Sequence, residues 1–386
     1  MSSLITRLIS TFCCASVLTL YACPVLAESA DRSDSVTVEG RQLLRGGRPW
    51  IPHGFFQVAF AVPPTYTDQK AFYRQAYEGY SPSEYDTMKA EGADSVRMQL
   101  AQDGADPSND KFFDASWLQQ AIDAVHAARA AGLIVILSIQ DEKQTGVRKE
   151  APLPDEATRR VWTELAPIFG KDRGVLFELY NEPNDLPASD THPDTDLPPT
   201  QEQWELWAHA MNETIKTVRD LGARNVVVAD GLVHAQQLTG APDLIDPLHQ
   251  VVYAAHPYVN GPQRYADFNQ TAAAWEEKFG RFSRTHPVII SEWAIGYFCD
   301  TKTPESVVNF LRYLQNHQIG LEAGLWDFEP AGFNNLTHGF PDDLHFSTFL
   351  NVEGKTCTLN DAPPDYGPGK TVESWYLTGT PPNAPQ

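Results

Sequence analysis

The sequence predicts an α/β fold: one closed (β/α)8 TIM barrel with an N-terminal β-hairpin. Three observations carry that expectation. Eight short apolar runs recur a few tens of residues apart, at 50–56, 95–100, 133–139, 175–180, 226–229, 251–255, 288–291 and 324–326. Each is nearly continuous in apolar residues rather than alternating, as strands covered on both faces are. Between the runs lie segments whose apolar residues recur at helical spacing, and no Ser-rich or Pro-rich linker divides them. Repeated strand-then-helix order favours a parallel sheet, and eight units favour its closure into a barrel. No Gly-rich nucleotide fingerprint follows the first run, which weighs against an open doubly wound sheet.

Taken in order, residues 1–27 read as a secretory signal peptide. Arg7 supplies the positive start, 8–22 the apolar middle, and Val25-Leu26-Ala27 the small-residue cleavage site. The apolar middle is shorter than the about 20 residues a spanning helix needs. Leu20-Tyr21-Ala22-Cys23 looks loosely like a lipoprotein cleavage box, but Tyr21 fits it poorly. The expected location is therefore secreted or periplasmic, with 28–386 as a single barrel domain. Residues 36–40 and 42–47 look like the arms of a hairpin that plugs the barrel's bottom.

Among the helical segments, Leu118, Ile122 and Val125 mark one face, and Trp204, Trp207, Met211, Ile215 and Val218 another. Trp275, Phe279 and Phe282 mark a third, and Val307, Phe310, Leu311 and Leu314 a fourth. Ser81, Asp114 and Thr303 stand where helices begin, Gly132 and Gly222 where they end. Long loops at 185–200 and 328–370 follow the fourth and eighth runs, on the side where such barrels build their sites.

A formal charge of −21 argues against nucleic acid or an anionic membrane as partner, and a soluble monomer is expected. Of five cysteines, Cys13, Cys14 and Cys23 leave with the leader. An exported chain left with Cys299 and Cys357 is expected to pair them, tying the loop after the seventh run to the loop after the eighth. Such closure constrains the unfolded chain by about 4 kcal/mol. Two unpaired buried thiols are the alternative.

Two glutamates stand where apolar runs stop: Glu182 in Asn181-Glu182-Pro183, and Glu292 in Glu292-Trp293. Arg97, Gln140, Asn181, His256, Tyr258 and Trp326 likewise fall at or near run ends, so a barrel gathers them on one face. A lone glutamate at a strand end is usually a solvated loop residue; the convergence of several polar groups is what points to a site. A carboxyl pair of this kind suits glycoside hydrolysis, in which the retaining mechanism sets nucleophile and acid/base about 5 to 5.5 Å apart. The acid needs a raised pKa, which a neighbouring carboxylate supplies, and the nucleophile needs a cation such as Arg97 and a donor such as Tyr258 to stay ionised. Trp326 suits either a sugar-stacking floor or core packing. His53, His256 and Asp230 offer a metal-binding alternative, but no pair has zincin spacing, and neither metal nor cofactor is expected.

Ser95-Val-Arg97, Leu179-Tyr-Asn-Glu-Pro-Asn184, His256-Pro-Tyr258 and Ser291-Glu-Trp293, in this order and spacing, resemble the signature segments of glycoside hydrolase family 5, the cellulase A family. Asn-Glu-Pro alone also marks related barrel glycosidases; the segments together are more specific. The resemblance implies a retaining β-glycosidase without cofactor, acting on an oligo- or polysaccharide. An endo-β-1,4-glucanase is the leading form, with a β-mannanase or an exo-β-glycosidase as others. It implies Glu182 as acid/base, Glu292 as nucleophile and Asn181 as the partner of the sugar's 2-hydroxyl. Arg97 and Tyr258 would hold Glu292, His256 would bond near the acid/base, and Trp326 would be the stacking floor. The family usually carries His after the third strand, where this chain has Gln140. An amide exchanges hydrogen bonds but cannot charge, which bears on the substrate more than on the reaction. A carbohydrate-binding barrel without catalysis is the alternative from another class, with Gln140 as its first sign.

Overall fold

In a computed structural model of the chain, the described residues are 34–65, 80–141, 151–184, 186, 198–257, 271–293, 303–324, 326 and 368–383. The expected leader at 1–27, Tyr258, Cys299, Cys357 and most of the two long loops lie outside them.

Three short strands come first: β1 (Val36–Glu39), β2 (Gln42–Arg45) and β3 (Arg48–Trp50). The barrel strands are β4 (His53–Phe60), β5 (Ser95–Ala101), β6 (Ile134–Gln140), β7 (Val175–Glu178), β8 (Val227–Asp230), β9 (Val251–Ala254), β10 (Val288–Trp293) and β11 (Gly320–Ala323). They close in the order β10-β11-β4-β5-β6-β7-β8-β9, every neighbouring pair parallel. Helix α1 (Pro82–Ala90) follows β4; α2 (Gln102–Ala105) and α3 (Ala115–Ala130) follow β5; α4 (Glu156–Phe169) follows β6; α5 (Gln201–Asp220) follows β7. A short α6 (Ala272–Trp275) runs into a π turn and a 3-10 turn before β10; α7 (Thr303–His317) precedes β11, and α8 (Pro368–Thr378) closes the chain. This is the (β/α)8 architecture expected from the alternation.

The period-two pleat sorts side chains cleanly. On β5 and β6, Val96, Met98, Leu100, Val135, Leu137 and Ile139 join the apolar layer under the helices. Ile134, Ile136, Leu176, Val228, Val252 and Ile289 instead form an inner cluster with Val36 and Leu43 of the N-terminal strands. The hairpin thus plugs the barrel as expected, but with a third strand. Trp50, read from sequence as the start of the first barrel strand, belongs to β3 and donates its indole N–H to Asp94 at 2.7 Å. Arg129 pins the plug by bridging Asp34 and Asp172.

Two further expectations shift. The eighth strand is Gly320–Ala323, four residues before the predicted run, because Glu322 interrupts the apolar signal. Glu322 faces inward, accepts from Ser95 Oγ at 2.5 Å, and is pushed well above the usual carboxylate range by burial. Gly54 opposite has to be glycine: a Cβ there would lie 1.9 Å from Glu322 Oε2. On α3 the buried face is Trp117, Ala121, Ala124, Val125 and Ala128, while Leu118 and Ile122 are only partly covered; small residues let that helix approach the sheet. The Trp204-to-Val218 stripe of α5 and the Val307-to-Leu314 stripe of α7 are buried as predicted. Asp114 caps α3, accepting from the N–H groups of Ser116 and Trp117, and Gly132 follows the helix in the left-handed conformation that favours glycine.

Candidate active site

The upper interior of the barrel is built from the same pleat. Inward positions on β5 carry Arg97 and Gln99, on β6 Ser138 and Gln140, on β7 Glu178 and on β8 Asp230, with His256 just beyond β9. Two tryptophans fix the strand ends from outside: Trp162 of α4 donates to the Leu179 carbonyl at 3.0 Å, and Trp207 of α5 to the Asp230 carbonyl at 2.8 Å. β10 departs from the pleat. Its register against β11 slips between Ile290 and Trp293, the mark of a β-bulge. Ile290 and Trp293 therefore face the helices, while Ser291 and Glu292, though adjacent, both face inward.

Arg97 is the centre. Fully buried in the middle of β5, not at its end as expected, it donates through Nε and Nη2 to Glu178, at 2.8 and 2.5 Å. Its Nη1 donates to Glu292 Oε2 at 2.7 Å, and Nη2 also reaches Asn181 Oδ1 at 2.6 Å and Ser138 Oγ at 3.1 Å. Gln99 Nε2 adds donations to Glu292 Oε2 at 3.0 Å and Asn181 Oδ1 at 3.3 Å. Burial opposes the guanidinium charge, but Glu178 and Glu292 outweigh it and hold Arg97 well above its usual range. With its Oδ1 so occupied, Asn181 has, among the described residues, its amide N–H left for another molecule.

Glu182 sits beside this network in a left-handed backbone conformation, φ 51°. For a non-glycine residue that costs about 1 to 3 kcal/mol and persists only when neighbours enforce it. Its N–H is held by Asp230 Oδ2 at 3.0 Å, and its Oε1 lies 3.0 Å from His256 Nδ1. The next loop repeats the strain: Val233, His234 and Ala235 are all left-handed. The His234 N–H donates to the Pro183 carbonyl at 3.2 Å, and the Ala235 carbonyl accepts from the His256 N–H at 2.9 Å. That turn ties the Glu182 segment to the end of β9.

Burial alone would raise the Glu182 carboxyl, but its two imidazole neighbours, His234 and His256, prevail and lower it to about 2. His256 makes the shorter contact of the two. His234 Nδ1 is 3.8 Å from Glu182 Oε2 and already accepts from Asn184 Nδ2 at 3.0 Å. Burial lowers His256, yet Asp230, Glu292 and Glu182 around it raise it to about 9. The proton of the Glu182–His256 pair thus rests on His256. The expectation of an acid raised by a neighbouring carboxylate is not met here, because the imidazole between the two glutamates intervenes: its Nδ1 is 3.0 Å from Glu182 and 3.8 Å from Glu292. Asp230, buried and facing Glu178, is pushed well above the usual carboxylate range.

Glu182, Glu292, Arg97, Asn181 and His256 are brought together as predicted. Gln140 is buried at the end of β6. Trp326 is 1 % exposed, its ring 4.8 Å from Phe55, so among the described residues it packs against the core. His53 lies at the start of β4, stacked on Tyr376, and burial lowers it to about 4; it cannot join His256 in a metal site. Two groups are close enough to share a cation, Glu178-Asp230-His256 and Glu182-His256-Glu292, the donor atoms within each lying within 4.8 Å of one another. In both, the Arg97 guanidinium already takes the carboxylate oxygens of Glu178 or Glu292, and a hydrogen-bonded charge network accounts for the donors. Sequence reasoning missed Glu178, Gln99, Ser138, Ser291 and His234. For the first three the available signal was polarity at every second position of otherwise apolar runs.

A family model described as cellulase (glycosyl hydrolase family 5) matches residues 67–332, more than half of the chain. A manganese dependent endoglucanase from Phanerodontia chrysosporium is 23% identical over 198 residues, which is 47% of this chain; the chain thus spans about half the length of that relative, 47%. An endo-β-1,4-glucanase from Xanthomonas axonopodis pv. citri superposes with a TM-score of 0.57 at 18% identity, covering 85% of this chain and 99% of its own. A β-glucanase from Saccharophagus degradans in complex with cellotetraose gives 0.58 at 18% identity, covering 89% and 93%. At these identities the two structures share the fold with this chain.

Proposed function

The chain belongs to glycosyl hydrolase family 5, and on that premise we propose that it cleaves a β-linked glycan by double displacement, with Glu292 as nucleophile and Glu182 as acid/base. One observation carries the reading. Oxygens of Glu182 and Glu292 approach within 4.8 Å. That suits direct attack on the anomeric carbon, whereas the inverting route needs about 6.5 to 9.5 Å to admit a water between carboxyl and sugar.

Glu292 attacks the anomeric carbon while the leaving oxygen takes a proton from Glu182. Because the resting proton lies on His256, 3.0 Å from Glu182 Oε1, it passes to the carboxylate as the substrate displaces the charge balance of the pair. Arg97 and Gln99 fix Glu292 Oε2, so the nucleophile's rotation is set before substrate arrives. Water then enters, Glu182 takes its proton, and the glycosyl ester is hydrolysed with retained configuration.

The substrate we propose is a β-1,4-glucan cut internally, a preference supported by the endoglucanase names among the relatives. Export, removal of 1–27 and a Cys299–Cys357 bridge complete the proposal. Proton NMR of the first products from a cello-oligosaccharide tests the mechanism: a β-anomer is expected, and an α-anomer sinks it. With azide, Glu292→Ala should yield the inverted α-glycosyl azide and Glu182→Ala the retained β-azide; the opposite pairing would exchange the two roles. Intact mass of the exported protein, before and after reduction, reads both the leader and the bridge.

A further inference from the structure

Asp230 is fully buried at the end of β8, and its side chain is spent almost wholly on Glu182. Its Oδ2 accepts the Glu182 N–H at 3.0 Å and lies 3.5 Å from His256 Nε2, while Oδ1 has no hydrogen bond among the described residues. Its own backbone is anchored from outside by Trp207, so the carboxyl is a fixed point against which the next loop is set. A buried carboxyl with one orphaned oxygen is a costly way to fill space, and an aliphatic residue would pack a strand end better. What the carboxyl supplies is an acceptor under a left-handed, non-glycine backbone that otherwise relaxes.

We propose that Asp230 is a positioning residue for Glu182: it holds the strained backbone of the acid/base through the N–H and steadies the imidazole that bonds its carboxyl. The proposal rests on the acid/base reading of Glu182. The groups facing that imidazole are Asp230 and Ser291 at Nε2, with Ser291 Oγ at 2.9 Å, and Glu182 and Glu292 at Nδ1. Ser291 orients the ring; among the described residues only Asp230 reaches both the ring and the backbone of Glu182.

The test uses leaving-group dependence, because a displaced proton donor matters only when the departing oxygen needs a proton. Asp230→Ala should lower kcat/KM on cellohexaose by about 10²-fold, mainly in kcat, the scale of lost general acid catalysis. On 2,4-dinitrophenyl β-cellobioside, whose leaving group needs no proton, the loss should be at least about tenfold smaller. Asp230→Asn keeps an oxygen able to accept the Glu182 N–H and should recover the larger part of the loss; it also serves where the alanine variant folds poorly. Equal losses on both substrates, or none on cellohexaose, overturn the proposal. Glu182→Gln runs alongside: if it fails to discriminate between the substrates, the acid/base reading falls and takes the proposal with it. A discriminating Glu182→Gln beside unselective Asp230 variants overturns the role of Asp230 alone.

Discussion

The lower and upper halves of the barrel interior are made by the same strands and the same pleat, yet they solve opposite problems. Below, Ile134, Ile136, Leu176, Val228, Val252 and Ile289 interdigitate with Val36 and Leu43 of the plug. Their stabilisation comes from area removed from water and from dense contact. Above, one guanidinium, one imidazole and the carboxyls of Glu178, Asp230, Glu182 and Glu292 share one space, all buried but the partly exposed Glu182. Burying such charges costs several kcal/mol each before pairing returns it, so the upper half contributes orientation where the lower contributes stability. Burial pushes Glu322, low in the barrel, and Asp230, above, well beyond the usual carboxylate range.

The sharpest way to break the comparison is to remove a charge above. Glu292→Gln should abolish turnover, and Glu182→Gln should lower kcat/KM on oligosaccharides by about 10² to 10⁴-fold. Both variants should still fold and unfold in one transition, at a lower temperature than the parent, since each removes a carboxylate paired with Arg97 or His256. Arg97→Met is expected to cost stability as well, about 3 to 5 kcal/mol in urea unfolding, because Glu178 and Glu292 are left as uncompensated buried charges. Leu176→Ala below should cost a similar about 2 to 5 kcal/mol by cavity formation while the folded fraction keeps its activity. If the two variants lost activity alike, the halves would not be separable.

The pH dependence sharpens the same contrast. Glu182 is lowered to about 2, so its contribution to stability is complete above the unfolded value and is lost as pH falls through about 2. His256 is raised to about 9, so its contribution is complete below the unfolded value and is lost as pH rises through about 9. Unfolding temperature should therefore plateau between about pH 4.5 and 6.5 and decline on both sides. In His256→Gln the alkaline decline should flatten; if it does not, another group governs it. Smallest of all, Asp34→Ala at the plug should cost under about 1 kcal/mol, since that carboxylate is partly solvated, with kcat unchanged in a steady-state assay.

Legibility in the sequence followed the same division. Strands β5 to β10 were visible because both of their faces are covered, and the helix stripes of α5 and α7 because one wide apolar face meets the sheet. Glu182 and Glu292 were visible because each terminates an apolar run. The eighth strand was displaced because inward Glu322 broke its run, and Trp50 was misplaced because an apolar residue in a plug strand looks like one in a barrel strand. Glu178 and Gln99 were passed over because a polar residue inside an apolar run reads as noise until closure shows that alternate residues point at one another. His234 left no local signal: its place depends on three left-handed residues where nothing but tertiary contact would put them. The depressed pKa of Glu182 follows from two imidazoles, His234 and His256, 52 and 74 positions away in the chain, distances no pattern of neighbours reports.

The bulge in β10 has a mechanical meaning. By turning both Ser291 and Glu292 into the barrel, it gangs two tasks onto adjacent links of one strand: Ser291 sets the imidazole ring, and Glu292 stands at the guanidinium. Neither can slide without carrying the other. A one-residue deletion between Ile290 and Trp293 would put the strand back in phase and leave room for only one of them inside, so the catalytic carboxylate and the hydroxyl that steadies its neighbour's imidazole would compete for a single socket.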